Sequence, residues 1–356
     1  MENVQIKQRL ETVKEKLASQ TEQEKWLAKA NQNQTNSGAE QALRMEIEEG
    51  AEMAAHTSFR AGGRAALLVT VGDARTLGFV LSVLSAEEIP HIFLGNGSNV
   101  LFRDEGYAGA VIKMRDFDSL AIGSGCHGFC NGDLEAKSAP AAPAAPAAAD
   151  QVLVTAQCGI GLGALARRLA EESLTGFEFA SGIPGTLGGA LFMDAGAYGG
   201  EMKDIVTSVT AISADGSELR TFTNEEMQFS YRHSCLQENG FIALSATLAL
   251  AKGNREEILE QMRELALKRN TKQPVQYPSA GSTFKRPEGY FAGKLIEDAG
   301  LKGVSVGGAE VSTLHAGFVI NKGGATATDI LELIRLIQNT VYDKFGVTLE
   351  PEVRII

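Results

Sequence analysis

The groups in this sequence best suited to binding an anion are backbone groups, in three glycine-rich segments. They are Leu94-Gly95-Asn96-Gly97-Ser98-Asn99, Gly159-Ile160-Gly161-Leu162-Gly163-Ala164 and Ser181-Gly182-Ile183-Pro184-Gly185-Thr186-Leu187-Gly188-Gly189. Glycine lets successive N–H groups approach a phosphate or diphosphate closely, and a helix starting behind them favours its charge. The middle segment matches the G-x-G-x-x-G/A dinucleotide fingerprint at Gly159, Gly161 and Ala164, between an expected strand and an expected helix. A dinucleotide unit of that kind returns through an apolar parallel strand ending in an acidic residue. Here the chain runs instead into Thr175-Gly-Phe-Glu-Phe-Ala-Ser181, which is no such strand. The middle segment therefore reads as a tight turn that lets a helix pack on a sheet. Cys126, His127 and Cys130 have the side chains of metal ligands, but zinc needs four at recognisable spacing and no second Cys/His pair follows nearby. No metal is expected.

Alternating strand and helix patterns position these loops. Residues 65–71 (AALLVTV) and 89–95 (IPHIFLG) read as strands with a helical stretch between them, and 151–159 as another strand leading into an amphipathic helix at 162–174. The runs VTSVTAISADG and ELRTFT read as antiparallel strands joined at Asp215-Gly216. Helices are expected near 255–270 and across ATDILELIRLIQNTVYDKFG, before a final strand. This is a mixed α+β pattern.

Two segments stand apart. Residues 1–45 are polar, and Leu10, Val13 and Leu17 give only a thin helical stripe, so a helical or disordered, partly mobile extension is expected. From Ser138 to Asp150 the sequence SAPAAPAAPAAAD follows a glycine-rich stretch and reads as an extended surface linker, within an insertion placed at about 119–150.

With 356 residues, 44% hydrophobic and 22% charged, the chain has material for two or three domains and a sizeable core. Its formal net charge of -11 argues against phosphate-backbone binding, which needs clustered Lys and Arg, so no nucleic-acid partner is expected. No run reaches the ~18 apolar residues that cross a bilayer, and the N-terminus lacks a signal-peptide core. A cytoplasmic protein without a membrane partner is expected, and four irregularly spaced cysteines agree with that.

The LGNGSN segment, followed by SGIPGTLGGALFMDAGAYGGE, resembles the flavin-binding domain of the vanillyl-alcohol-oxidase/PCMH type, and HTSFRAGG at 56–63 narrows the resemblance to UDP-N-acetylenolpyruvoylglucosamine reductases. The likeness runs from about residue 46 to the C-terminus. It implies a two-subdomain FAD-binding domain at 46–250, followed by a smaller α+β substrate-binding domain at 251–356. It also implies noncovalent FAD, NADPH as co-substrate, and reduction of the enolpyruvyl group of UDP-N-acetylglucosamine enolpyruvate to UDP-N-acetylmuramate in peptidoglycan precursor synthesis, by a monomer. The cofactor would lie against Arg60, residues Leu94 to Asn99, and Ser181, Gly182, Ile183, Pro184, Gly185, Thr186, Gly188 and Gly189. His56, where some relatives of this fold attach flavin covalently, is read as structural.

The same resemblance assigns the chemistry. Hydride passes from reduced flavin N5 to the substrate β-carbon, charge builds on the carboxylate, and a proton must reach the α-carbon. Arg232, in Tyr231-Arg232-His233-Ser234, matches the arginine that binds the carboxylate. Ser282, in Ala280-Gly281-Ser282-Thr283-Phe284-Lys285, matches the proton donor, and Glu352, in Leu349-Glu350-Pro351-Glu352-Val353-Arg354, the acid that stabilises the intermediate. A free carboxylate would repel the developing charge, so Glu352 is expected to act protonated. Taken singly, each is an ordinary surface or capping side chain. Tyr231, Lys272, Tyr277, Arg286 and His315 are further candidates for contact with substrate. The short interval between Arg232 and Ser282 resembles the second subclass, which lacks a substrate-covering loop. Asp194 stands where the motif leads one to expect asparagine, a charge unhelpful near a diphosphate.

Overall fold

The computed structural model describes residues 2–31, 42–123 and 151–356, which divide into two units. The first comprises Met1–Glu49, Leu67–Gly95 and Gly109–Arg263; the second comprises Gly50–Ala66, Asn96–Ala108 and Glu264–Ile356. Cys126, His127, Cys130 and the Ala/Pro tract lie outside the described residues.

The first unit begins with helices α1 (Glu2–Ala18) and α2 (Gln20–Asn31). Leu10, Val13 and Leu17 are buried where α1 packs on α3 (Ala74–Ala86). Trp26 of α2 meets Phe79 of α3 edge to face, with ring centroids 5.8 Å apart. Lys16 pairs with Glu87 at 2.5 Å and Lys14 with Glu49 at 2.7 Å. The thin stripe of α1, expected to leave it partly mobile, is thus docked. The reason lies in α3: residues Thr76 to Leu81 are all buried, so this helix is apolar nearly all round and offers a second face to cover. Asp73 caps α3, accepting the Thr76 N–H at 2.7 Å.

The centre of this unit is an antiparallel sheet, in the order Leu219–Thr223, Val206–Ile212, Ile242–Lys252, Gln151–Gln157, Leu120–Ile122, with Leu174–Thr175 pairing off the long third strand. Leu120–Ile122 is a strand inside the span read as the start of the insertion. Helix α4 (Leu162–Glu171) buries Leu162, Leu165, Ala166, Leu169 and Ala170, a helical repeat that faces Val154, Val209 and Leu248 of the sheet in one core. Asp215 and Gly216 form the expected hairpin turn, Gly216 with φ +74°. Short helix α5 (Leu187–Phe192) and long helix α6 (Arg255–Lys272) follow, α6 passing into the second unit's sequence.

The second unit packs α7 (Ala292–Asp298) and α8 (Ala327–Phe345) with a three-stranded antiparallel sheet of Ser305–Val306, Ala309–Val311 and Val319–Asn321. Helix α8 buries Ile330, Leu333, Ile334, Ile337 and Val341 along one stripe. Thr326 and Asp329 form a capping box at its start, and Gly346, at φ +68°, ends it. Asp104 adds a second cap from far away in sequence, accepting the N–H groups of Ala327 and Thr328 at 2.9 and 2.8 Å and the Thr328 hydroxyl at 2.6 Å. The chain closes as a parallel strand, Arg354–Ile355 beside Val100–Leu101.

Candidate active site

In the first unit the glycine segments meet. Thr186 caps α5, its Oγ1 accepting the Gly189 N–H at 3.3 Å. A Cβ at Gly95 would lie 2.5 Å from that Oγ1, so the first and third segments are in direct contact there. The middle segment braces the third from behind: Leu162 N–H bonds Gly185 O at 3.0 Å, Leu187 N–H bonds Ile160 O at 2.9 Å, and Gly188 N–H bonds Cys158 O at 2.8 Å. A Cβ at Gly159 would come within 2.8 Å of Phe117 Cβ, which is the close packing that its reading as a structural turn requires. Gly95 and Gly189 are exposed, so the first and third segments present bare backbone at this surface.

Arg232 sits at the tip of a two-residue turn in the same unit. Ser230 and His233 exchange backbone hydrogen bonds at 3.1 and 2.9 Å, leaving Tyr231 and Arg232 between them. Arg232 has φ +58°, a left-handed conformation costing a non-glycine residue roughly 1–3 kcal/mol. Gln237 holds it there, donating from Nε2 to Arg232 O at 3.0 Å and to Phe192 O at 2.8 Å. Ser234 Oγ also donates to Phe192 O, at 3.0 Å. Phe192 ends α5, so the arginine turn is fastened to the helix that the glycine segment starts.

The second unit brings together Ser282, Glu352 and the far half of the first glycine segment. Thr283 is buried and fixed at three atoms: its N–H donates to Gly317 O at 2.9 Å, its Oγ1 accepts the Val319 N–H at 2.9 Å, and its carbonyl accepts the Glu352 N–H at 2.8 Å. With Lys285 N–H on Glu350 O at 2.8 Å, this makes a short antiparallel pairing centred on Phe284 and Pro351. Ser282, exposed and next to Gly281 at φ +74°, is therefore set beside the segment that carries half-buried Glu352. Asn99 Nδ2 donates to Glu352 O at 3.1 Å, and Asn99 O accepts the Arg354 N–H at 3.0 Å. Gly97, at φ +62°, has no room for a side chain, since a Cβ would stand 2.2 Å from His56 O. Ser58 N–H bonds Gly97 O at 3.1 Å. Arg60 is exposed at φ +53°, its turn held by Asn321 Nδ2 on Phe59 O at 2.9 Å.

Residues 273–356 match the family model of the UDP-N-acetylenolpyruvoylglucosamine reductase C-terminal domain, and residues 146–221 match the FAD binding domain model. The UDP-N-acetylenolpyruvoylglucosamine reductase of Clostridioides difficile is 49% identical over 305 residues, 85% of this chain and 91% of that protein. The Agathobacter rectalis enzyme is 47% identical over 327 residues, covering 92% and 99%. The chain belongs to the UDP-N-acetylenolpyruvoylglucosamine reductase family. The crystal structure of the Thermus caldophilus reductase superimposes with a TM-score of 0.68 at 33% identity, over 88% of this chain and 99% of that one. The protein is accordingly an FAD-dependent oxidoreductase of α+β fold with an FAD binding domain.

The remaining candidates of this reductase fall in different surroundings. Tyr231 is exposed with the Arg232 guanidinium 5.0 Å from its ring centroid. Lys272 is exposed at the end of α6, and half-buried Tyr277 has Lys322 Nζ 5.3 Å from its ring. The Arg286 guanidinium stacks on Phe291 at 4.0 Å. His315 is half-buried and uses Nδ1 to accept the Gly317 N–H at 3.1 Å, so that nitrogen is already committed inside the fold. Asp194 is buried at φ +42°, with Oδ1 accepting the Lys203 N–H at 2.9 Å. Among the described residues no grouping of His, Cys, Asp and Glu could hold a metal, and no helix is long and apolar enough to cross a membrane.

Two residues of the site scaffold were not read from the sequence. Thr283 is hidden by its neighbour Ser282. Asn321 accepts the Gly323 and Ala325 N–H groups at 2.9 and 3.1 Å while donating to Phe59 O. The signal for it was present: an asparagine ending an apolar run and followed by Gly323-Gly324 is a turn-forming asparagine.

Proposed function

We propose that this reductase converts UDP-N-acetylglucosamine enolpyruvate to UDP-N-acetylmuramate, a cytoplasmic step of peptidoglycan precursor synthesis, with noncovalent FAD and NADPH. The observation that supports the reading is the three-point fixation of Thr283, the neighbour of Ser282, which bonds the Glu352 N–H. Reducing a carboxylate-conjugated double bond asks for such a pair, one group to deliver a proton and one to hydrogen-bond the charge that develops.

When bound, the flavin supplies the hydride. Gly95, Thr186, Gly188 and Gly189, with Asn96 to Asn99, would line its diphosphate, and Arg60 and Ser181 to Gly185 would lie along the rest of the cofactor. Arg232 binds the enolpyruvyl carboxylate, where a planar fork of donors matches two oxygens. Its strained backbone supports the assignment, because strain of this kind is kept where geometry matters. Ser282 Oγ delivers the proton to the α-carbon. Glu352, as the neutral acid, donates a hydrogen bond to the enediolate oxygens. Lys272 meets the UDP diphosphate as a point charge, and Tyr231, Tyr277 and Arg286 contact substrate.

The test is spectroscopic. Purified protein is expected to be yellow, to release its flavin into the supernatant on acid precipitation, to bleach anaerobically with NADPH, and to recover its colour on addition of UDP-N-acetylglucosamine enolpyruvate. Flavin that stays reduced when the enolpyruvate is added without oxygen would overturn the reading.

A further inference from the structure

We infer that His315 is a positioning residue for Ser282, its imidazole holding Gly317, the residue whose carbonyl accepts the N–H of the serine's neighbour Thr283. The inference rests on the reading of Ser282 as proton donor. The connection is short and runs wholly through the second unit. His315 Nδ1 accepts the Gly317 N–H at 3.1 Å; Gly317 O accepts the Thr283 N–H at 2.9 Å; Thr283 is the next residue after Ser282. Val319 N–H closes the loop onto Thr283 Oγ1 at 2.9 Å. The histidine thus holds the residue whose carbonyl accepts one of the three bonds that fix Thr283.

The loop is built around the ring. A Cβ at Gly317 would come within 3.0 Å of His315 Cε1 and one at Gly293 of α7 within 3.3 Å, so both positions leave the space that the imidazole fills. Phe318 meets the ring edge to face with centroids 5.0 Å apart. Ser312 Oγ accepts the N–H groups of Leu314 and His315 at 3.2 and 3.3 Å, and His315 O accepts the Phe318 N–H at 3.0 Å. A backbone N–H can only donate, so Nδ1 must be unprotonated and the proton must sit on Nε2.

Protonating Nδ1 would therefore set two N–H groups against each other. Burial disfavours that charge and lowers the His315 pKa from its ordinary 6.5; its own carbonyl opposes this, Lys302 assists and Glu297 opposes. These are the charged groups that act on the ring, Glu297 from α7 and Lys302 from the turn after it. Because the folded-state pKa is lowered, the neutral ring is present at pH 7 and is lost as the pH falls through a value below 6.5. Proton delivery by Ser282 should fail at acid pH for this reason.

The test compares His315→Leu, which removes the acceptor, with His315→Asn, which restores an acceptor near the Nδ1 position and does not titrate. FAD-loaded enzyme is reduced with dithionite and mixed with UDP-N-acetylglucosamine enolpyruvate in a stopped-flow instrument. His315→Leu should slow flavin reoxidation about 10–100-fold, the scale of a misplacement near 1 Å, and should accelerate amide exchange in peptides spanning 282–285 and 315–319. His315→Asn should recover the neutral-pH rate and lose the acid limb of the wild-type profile. Unchanged exchange in His315→Leu overturns the inference, as does an acid limb that persists in His315→Asn. Faster exchange with normal reoxidation overturns it too, provided Ser282→Ala is slow. A normal rate in Ser282→Ala marks failure of the proton-donor reading itself. Should His315→Leu not fold, the His315→Asn profile decides alone.

Discussion

Gly95 lies against Thr186 with no space between them for a methyl group. A Cβ on residue 95 would stand 2.5 Å from Thr186 Oγ1 and 3.3 Å from Cγ2. Thr186 cannot simply turn away, because Oγ1 also caps α5 through the Gly189 N–H. Two glycine segments distant in sequence therefore form one surface in the first unit, held together at a hydroxyl that serves the helix behind it.

Gly95→Ala should accordingly lose flavin more than fold. Overpacking of this size costs about 1–3 kcal/mol, roughly 5- to 150-fold in affinity if it falls on cofactor binding. The ratio of flavin to protein absorbance after purification and a titration with added FAD would measure it. A variant that purifies fully yellow would show that the contact yields without moving the loop.

The middle glycine segment was legible as a packing turn because no acidic strand follows it, and Gly159 does pack closely on Phe117. The long strand Ile242–Lys252 was not legible, since its alanines carry no β-branched signal, although it is the central partner in the sheet. Docking of α1 was missed for a related reason. The stripe of Leu10, Val13 and Leu17 was visible, but the receiving face belongs to α3, and a periodicity within one helix says nothing of another helix's spare surface. The left-handed backbone of Arg232 was not legible, because it is imposed by Gln237 and the Ser230–His233 turn. Thr283 and Asn321 matter through bonds to residues far along the chain, and such pairings leave no local pattern.

Asp104 gives a stability prediction with a definite pH dependence. Burial would raise its pKa, but the Thr328 hydroxyl and the N–H groups of Thr328 and Ala327 outweigh that and hold it below the ordinary 3.8. A depressed folded-state value means the contribution is present above the unfolded pKa and is lost as pH falls through the lower folded one. Asp104→Ala should cost about 0.5–2 kcal/mol at neutral pH, the range for a lost helix cap, and the gap from wild type should shrink as pH falls below the ordinary 3.8. Urea unfolding at a series of pH values would check this; a gap independent of pH would remove the charge from the account.

Asp194 should behave in the opposite sense. Its Oδ2 is buried without a hydrogen-bond partner among the described residues, and Lys203 Nζ is 4.0 Å away. Burial raises the carboxyl pKa, the Lys203 backbone N–H opposing and the Glu201 carboxylate assisting. A raised folded-state value favours the fold at low pH, and that advantage is lost as pH rises through it. Asp194→Asn removes the buried charge, so it should gain stability over wild type as pH rises above the ordinary 3.8, by about 1–3 kcal/mol once the carboxyl is ionised in both states. Thermal melts of both proteins at a series of pH values decide it. Equal stability throughout would mean that the carboxylate finds compensation elsewhere.

The proposed role of Ser282 separates the two halves of the catalytic cycle. A proton delivered to the substrate α-carbon matters only after hydride has left the flavin, so Ser282→Ala should respond differently in each half. Reduction by NADPH should proceed at a near-normal rate, since it needs no proton from this hydroxyl. Reoxidation by UDP-N-acetylglucosamine enolpyruvate should slow by roughly 10²–10⁴-fold, the range for a lost general acid. Substrate affinity should change little, because one hydroxyl contributes about 1 kcal/mol of hydrogen bonding. The fold should be unaffected: Ser282 is exposed, and the bonds that fix this strand belong to Thr283 and Lys285. Stopped-flow absorbance at the flavin band reads both halves in one instrument. Equal slowing of the two would point to a displaced cofactor, and unimpaired reoxidation would take the proton donor's role away from Ser282.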